Sequence, residues 1–156
     1  VFGTGDNIYQ FVHANDLADA CVRAANRPGP AVYNVGAAEF GTMRETLEAL
    51  VEHAGTGSRV RSLPSGPART AMHASSRTGL APFAPYHWLL YGESLYFDIE
   101  RARSELGWEP KHSNRSMIIE SYEWFLAHRR GLSEQSGSHH QSLARLGLLR
   151  AAKLLP

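Results

Sequence analysis

Strand-like and helix-like segments alternate along the first half of this chain, and that order constrains the fold more than any single motif. Residues 8–13 (Ile-Tyr-Gln-Phe-Val-His) are rich in β-branched and aromatic types and follow the Gly3-Thr4-Gly5 turn, which reads as a strand. Asn15 or Asp16 then offers a short side-chain oxygen to cap a helix. In that helix Leu17, Ala20, Cys21 and Ala24 recur at helical spacing and predict one apolar face, with Cys21 as a small core residue. Pro28-Gly29-Pro30 stops it, and a second strand is expected over residues 31–35. Thr42 and Glu45 have capping-box spacing, and the helix they open carries Met43, Leu47, Leu50 and Val51 on one side before reaching Gly55. A short strand over 59–63 ends at Pro64. Strands separated by helices predict α/β layers.

The pattern weakens after residue 65. Pro67 starts a helix over 68–78, and Pro82 and Pro85 punctuate a loop leading to Tyr86-His87-Trp88. A short strand is expected at 95–97. Asp98 caps a helix through Leu106, Gly107 closes it, and Pro110 prevents its resumption. Ser113 or Asn114 starts the longest helix, to about His128, with Met117, Ile118, Tyr122, Phe125 and Leu126 inward. Residues 131–141 read as a polar, Gly/Ser-rich linker, and 142–156 as an amphipathic helix with Leu143, Leu148, Leu154 and Leu155 opposite Arg145, Arg150 and Lys153.

Charge and spacing exclude several chemistries. Sixteen basic against fifteen acidic residues leave +1, too balanced for a nucleic-acid footprint. No apolar run approaches the roughly 20 residues of a membrane span. The three basic residues of the tail contribute only about 1 kcal/mol each at an anionic surface, so a membrane is not an expected partner. A single cysteine excludes an internal disulfide. The adjacent His139-His140 point to different faces, and the histidine spacing predicts no metal site. Gly3-x-Gly5 precedes a strand and has Ile8 where a third glycine belongs, so it is a turn and not a dinucleotide loop. The lysines are Lys111 and Lys153, with Gly107 and Leu149 four residues before them, so no Tyr-x-x-x-Lys proton-transfer pair is formed. No residue is expected to be catalytic.

Four segments in fixed order nevertheless resemble one family. Residues 11–20 (Phe-Val-His-Ala-Asn-Asp-Leu-Ala-Asp-Ala) are similar to the His-Val-x-Asp-Leu-Ala segment of the extended short-chain dehydrogenases, the NAD-dependent epimerase/dehydratase family. Tyr33-Asn34-Val35-Gly36 resembles that family's Tyr-Asn-Val-Gly strand. Tyr96-Phe97-Asp98 with Leu106-Gly107-Trp108-Glu109-Pro110, and the helix holding Tyr122-Glu123-Trp124-Phe125, match its closing landmarks.

The resemblance implies an α/β fold: the last strands and helices of a Rossmann-type nucleotide-binding layer plus most of a small substrate domain over residues 1–130, with the N-terminal cofactor half absent. It implies NAD or NADP as cofactor of the full-length enzyme and none for this chain alone. It also implies a sugar or nucleotide-sugar substrate, a possible homodimer and a cytoplasmic location. The expected role is the substrate-binding portion of an epimerase, dehydratase or reductase, inactive without its other half. The alternative is a stand-alone, non-catalytic module that binds a small molecule or a partner. Tyr9 stands where nucleotide-sugar enzymes of the family carry a phosphate-gripping Arg, and a second such Arg aligns near Trp88. Losing these charge-assisted contacts favours a more aromatic pocket, walled by Tyr9, His13, His87, Trp88 and Tyr91.

Overall fold

Helices dominate the computed structural model, which describes residues 1–78 and 84–134; the side chains of His87, Trp88 and 130–134 lie outside that description. The described elements are β1 (Ile8–Tyr9), α1 (Ala14–Ala25), β2 (Gly41–Thr42), α2 (Met43–Ala54), α3 (Ser65–Arg77), α4 (Pro85–Leu90), α5 (Glu100–Leu106) and α6 (Asn114–Glu134). β1 and β2 pair antiparallel, Ile8 opposite Thr42 and Tyr9 opposite Gly41. Single parallel bridges join Phe2 to Leu63 and Tyr9 to Leu95. The described residues thus form a small α/β unit with one two-stranded sheet. The α6 helix runs through Glu134, into the segment expected as a linker from 131, while the rest of that linker and the helix at 142–156 lie outside the described residues.

Local chemistry sets the helix ends. The Thr42 hydroxyl accepts the Glu45 N–H and the Glu45 carboxylate accepts the Thr42 N–H, the reciprocal box expected there. Gly55 and Gly107 close α2 and α5 in the left-handed region (φ 60° and 58°), where a side chain would be strained. Ser113 takes the cap of α6, its hydroxyl accepting from the Ser116 N–H. The cap position of α5 is Ile99 and not Asp98 as expected, although Asp98 Oδ1 still accepts the Glu100 N–H from one residue before it.

Other expectations give way to tertiary partners. Residues 31–35 form no strand, because no second backbone lies alongside them among the described residues. Side chains meet this stretch instead: Arg101 donates to the Val32 carbonyl and Asn34 donates to that of Asp98. The strands expected at 8–13, 59–63 and 95–97 shrink to the two residues of β1 and to bridges at Leu63 and Leu95.

The buried face of α1 is rotated from the expected one. Asp16 and Ala20 are buried, whereas Leu17 and Cys21 are exposed. The reason is Trp108, whose indole N–H donates to the Asp16 carbonyl and draws that side of the helix inward. Ala20, Ile99, Ala102 and Trp108 form the core cluster, with Tyr33, Val35 and Leu106 packed against it. The carbonyls at the end of α5 are satisfied from α1, since Arg23 donates to Leu106 and Gly107. Along α6, Met117 is buried and Tyr122 half-buried, but Phe125 and Leu126 are exposed, not inward. The α2 helix ends at Ala54, and α6 outruns the partner that covers its first turns.

An ion network sits over Tyr33. Glu105 accepts from Arg101 (2.9 Å), from the Tyr33 hydroxyl (2.8 Å) and from Arg27 (2.8 Å). The hydrogen bonds from Arg101 and Tyr33 hold the Glu105 carboxyl below the ordinary glutamate range, against a smaller upward push from burial. A depressed folded-state value means the stabilisation is complete above the unfolded-state value and is lost as pH falls through the folded one. Thermal midpoints measured from about pH 6 to about pH 3 should therefore fall less steeply in Glu105→Gln than in the parent chain.

Candidate functional site

Tyr9 and Phe11 point from β1 and its continuation toward a cavity of about 330 Å³, closed on other sides by Phe2, Met43, Leu47 and Tyr91. The position of β1 follows from three attachments. It pairs with β2, Gln10 N–H donates to the Leu95 carbonyl, and Leu95 N–H donates to that of Ile8. A fourth comes from the buried Asn114, whose Oδ1 accepts the Phe11 N–H while its Nδ2 donates to the Tyr9 carbonyl. One amide side chain thus occupies the place of a neighbouring strand. Gln10 works similarly, donating to the Ala37 carbonyl and accepting from the Phe97 N–H. Gly36 lets it approach, since a Cβ there would meet the Gln10 side chain at 2.5 Å. Sequence reasoning missed both amides, because their partners lie far along the chain.

The cavity wall is aromatic. Phe2 and Tyr91 ring centres are 6.0 Å apart, those of Tyr9 and Phe11 are 5.4 Å apart, and Tyr86 meets Tyr91 edge-on at 6.3 Å. Withdrawal from water, with the Tyr86 and Tyr9 phenols alongside, raises the Tyr91 hydroxyl above the ordinary tyrosine value, so it stays protonated at neutral pH. The described cavity wall carries no charged side chain. Arg44, next to Met43, is engaged elsewhere: it donates to the Thr4 carbonyl, to Ser62 and to Glu48.

The site residues expected from sequence therefore separate. Tyr9 and Tyr91 meet at the cavity. His87 and Trp88 belong to α4, which leads directly to Tyr91, and their side chains lie outside the described ones. His13 does not join them. It caps α1, its Nδ1 accepting the Asn15 N–H at 3.2 Å, so the cap is neither Asn15 nor Asp16. A small oxygen was expected there, but the ring nitrogen of His13 already meets the free N–H.

Asp16 is left for another task. Its carboxylate accepts the Lys111 and His112 N–H groups at 3.0 and 3.1 Å and the His112 ring Nδ1–H at 3.0 Å. Burial pushes this carboxyl up, but the His112 ring and the two backbone donors together outweigh that and hold it below the usual aspartate value. Asp16 is a latch between α1 and the segment entering α6. The rings of His13 and His112 stack at 3.7 Å, a meeting of histidines that spacing along the chain did not predict.

The described residues do not fit a dinucleotide. The Gly3–Gly5 turn leads into β1 and not into a helix, and the α2 N-terminus that meets it spends its Arg44 N–H on the Gly5 carbonyl and its Met43 N–H on that of Asn7. At the two described strand-to-helix junctions the helix start is already occupied from within the chain, by the His13 ring at α1 and by the Thr42–Glu45 box at α2.

Comparison with known proteins follows the same lines. The family model for GDP-mannose 4,6-dehydratase matches residues 1–121. The protein y4nG of Sinorhizobium fredii is 49% identical over the whole of this chain, which corresponds to 40% of its own length. GDP-L-fucose synthase 1 of Arabidopsis thaliana is 29% identical over 81% of the chain and 32% of its own length. Among solved structures, the dTDP-glucose 4,6-dehydratase of Bacillus anthracis, crystallised with NAD, superposes with a TM-score of 0.60 at 18% identity. That match covers 83% of this chain and 35% of the dehydratase. The chain spans well under half the length of the curated relatives it matches.

Proposed function

The chain belongs to the GDP-mannose 4,6-dehydratase family, within the extended short-chain dehydrogenases, and from that premise we propose that residues 1–130 form the substrate-side portion of an NAD(P)-dependent enzyme. The reaction is an epimerisation, dehydration or reduction of a sugar or nucleotide sugar. The observation that carries this reading is the aromatic cavity, where Tyr9 and Tyr91 come together from distant parts of the matched region. Its described side chains are aromatic rings, phenol hydroxyls, aliphatic groups and the Asn7 amide, with no charged side chain among them, so it receives the sugar or another uncharged ring, and a diphosphate must find its counter-charge elsewhere. The hydride and proton steps belong to residues outside this chain, since neither a Tyr-x-x-x-Lys pair nor a fitting dinucleotide loop is formed by the residues present.

Calorimetric titration of the chain with NAD, NADP and UDP-glucose tests this. Neither cofactor should saturate it. UDP-glucose should bind weakly, and Tyr9→Ala and Tyr91→Ala should each weaken that binding several-fold. Saturating uptake of NAD or NADP would place the cofactor site within these residues and overturn the division of labour. Sugar binding indifferent to both tyrosines, or none at all, would remove the cavity from the substrate's path.

A further inference from the structure

Three side chains from separate stretches converge beside the first turn of α1, none of them lining the aromatic cavity. His13 caps that helix, His112 precedes α6, and Glu120 lies on α6. One ring nitrogen of each histidine and one carboxylate oxygen of Glu120 all lie within 4.8 Å of one another. His13 Nε2 and Glu120 Oε2 are 3.3 Å apart. The two histidine side chains are 16% and 26% exposed and Glu120 is 57% exposed, so the group opens to solvent over a half-buried floor.

We propose that His13, His112 and Glu120 bind a borderline transition-metal cation, with Zn²⁺ as its probe. Two imidazoles and a carboxylate are the donor set of open zinc sites, which leave a fourth position to water. Tetrahedral ligands about 2.1 Å from a metal stand about 3.4 Å from one another, close to the spacing His13 and Glu120 already have. The supporting residue is also in place. Because an ionised carboxylate only accepts, His112 Nδ1–H must donate to Asp16, which leaves its Nε2 lone pair as the metal-binding nitrogen. Asp16 is buried and held by two backbone N–H groups, so the ring orientation is set before any ion arrives.

Loading has a structural consequence. The rings are stacked within 18° of parallel, so with His112 held by Asp16 it is the His13 ring that must turn for the two lone pairs to converge on one ion. His13 Nδ1 accepts the Asn15 N–H, so in the metal-free state the ring proton sits on Nε2 facing Glu120. Ligation through Nε2 moves that proton to Nδ1, where it opposes the Asn15 N–H, and the cap bond is given up. The site trades a helix cap for a metal bond, which sets its affinity below that of a closed structural zinc site. Hard cations such as Mg²⁺ prefer all-oxygen shells and are not expected to load it.

Titration of the full chain with Zn²⁺ alone, followed by calorimetry and amide hydrogen exchange, tests the proposal. One saturable site is expected. It should survive replacement of His139 and His140 by alanine and weaken at least tenfold in Glu120→Gln and in His112→Asn. Zn²⁺ should also speed exchange of the Asn15 amide. Glu120 is exposed, so its variant keeps the fold even where His112→Asn does not. Absence of saturable binding, affinity unchanged in Glu120→Gln, binding that vanishes with the His139/His140 pair, or an Asn15 amide indifferent to the ion would each overturn the site.

Discussion

Trp108→Ala is expected to lower the unfolding free energy by about 3–5 kcal/mol, the range for truncating a large buried aromatic. Trp108 is 0% exposed and is the largest fully buried side chain described. Its removal empties the centre of the cluster of Ala20, Ile99 and Ala102, and the two alanines on α1 and α5 are too small to fill the space without moving those helices. It also removes the indole N–H that donates to the Asp16 carbonyl at 2.9 Å, one of the ties between α1 and the segment after α5. Trp108→Phe separates the two contributions, restoring much of the volume but not the donor. Urea titrations of the three proteins measure this, and a loss under about 1 kcal/mol for Trp108→Ala would show that this cluster does not hold the helices together.

Asp16→Ala follows, with an expected loss of about 2–4 kcal/mol, since a buried carboxylate that takes several hydrogen bonds leaves each donor unpaired when it is removed. The abandoned donors are the Lys111 and His112 N–H groups and the His112 ring. Asp16→Asn keeps one acceptor oxygen without the charge and should lie between parent and alanine variant. Because Asp16 and Trp108 fasten the same two segments, the double variant should cost less than the sum of the singles. Equal stability of Asp16→Ala and the parent chain in urea would mean that the segment leading into α6 is held by its other contacts alone.

The family landmarks were legible because each is a local device. His13 and Asp16, the Tyr33-to-Gly36 stretch and Leu106-Gly107-Trp108 keep their residue types at fixed spacing, and the match over residues 1–121 follows their order. What each residue does was less legible. Asp16 read as a cap and is a latch, and Cys21 read as core and is exposed; His13, expected in a pocket wall, also serves as the cap of α1. For Asp16 the deciding partners lie far outside its own helical turn, at Lys111 and His112.

That divides what the chain's order of residues determines from what folding decides. Helix ends depend on donors and acceptors within about four residues, so the Thr42–Glu45 box and the Gly55 and Gly107 caps can be read directly. Pairing and burial depend on what arrives from elsewhere. Residues 31–35 have strand composition yet lack a described backbone neighbour, and a strand without a ladder is not formed. Asp16 and His112 meet across 96 residues, and Tyr9 and Tyr91 share one cavity, only because β1, α1 and α6 are fastened by Asn114, Gln10 and Trp108. Side-chain hydrogen bonds of such long reach leave no period in a sequence, so only the tertiary structure could place them.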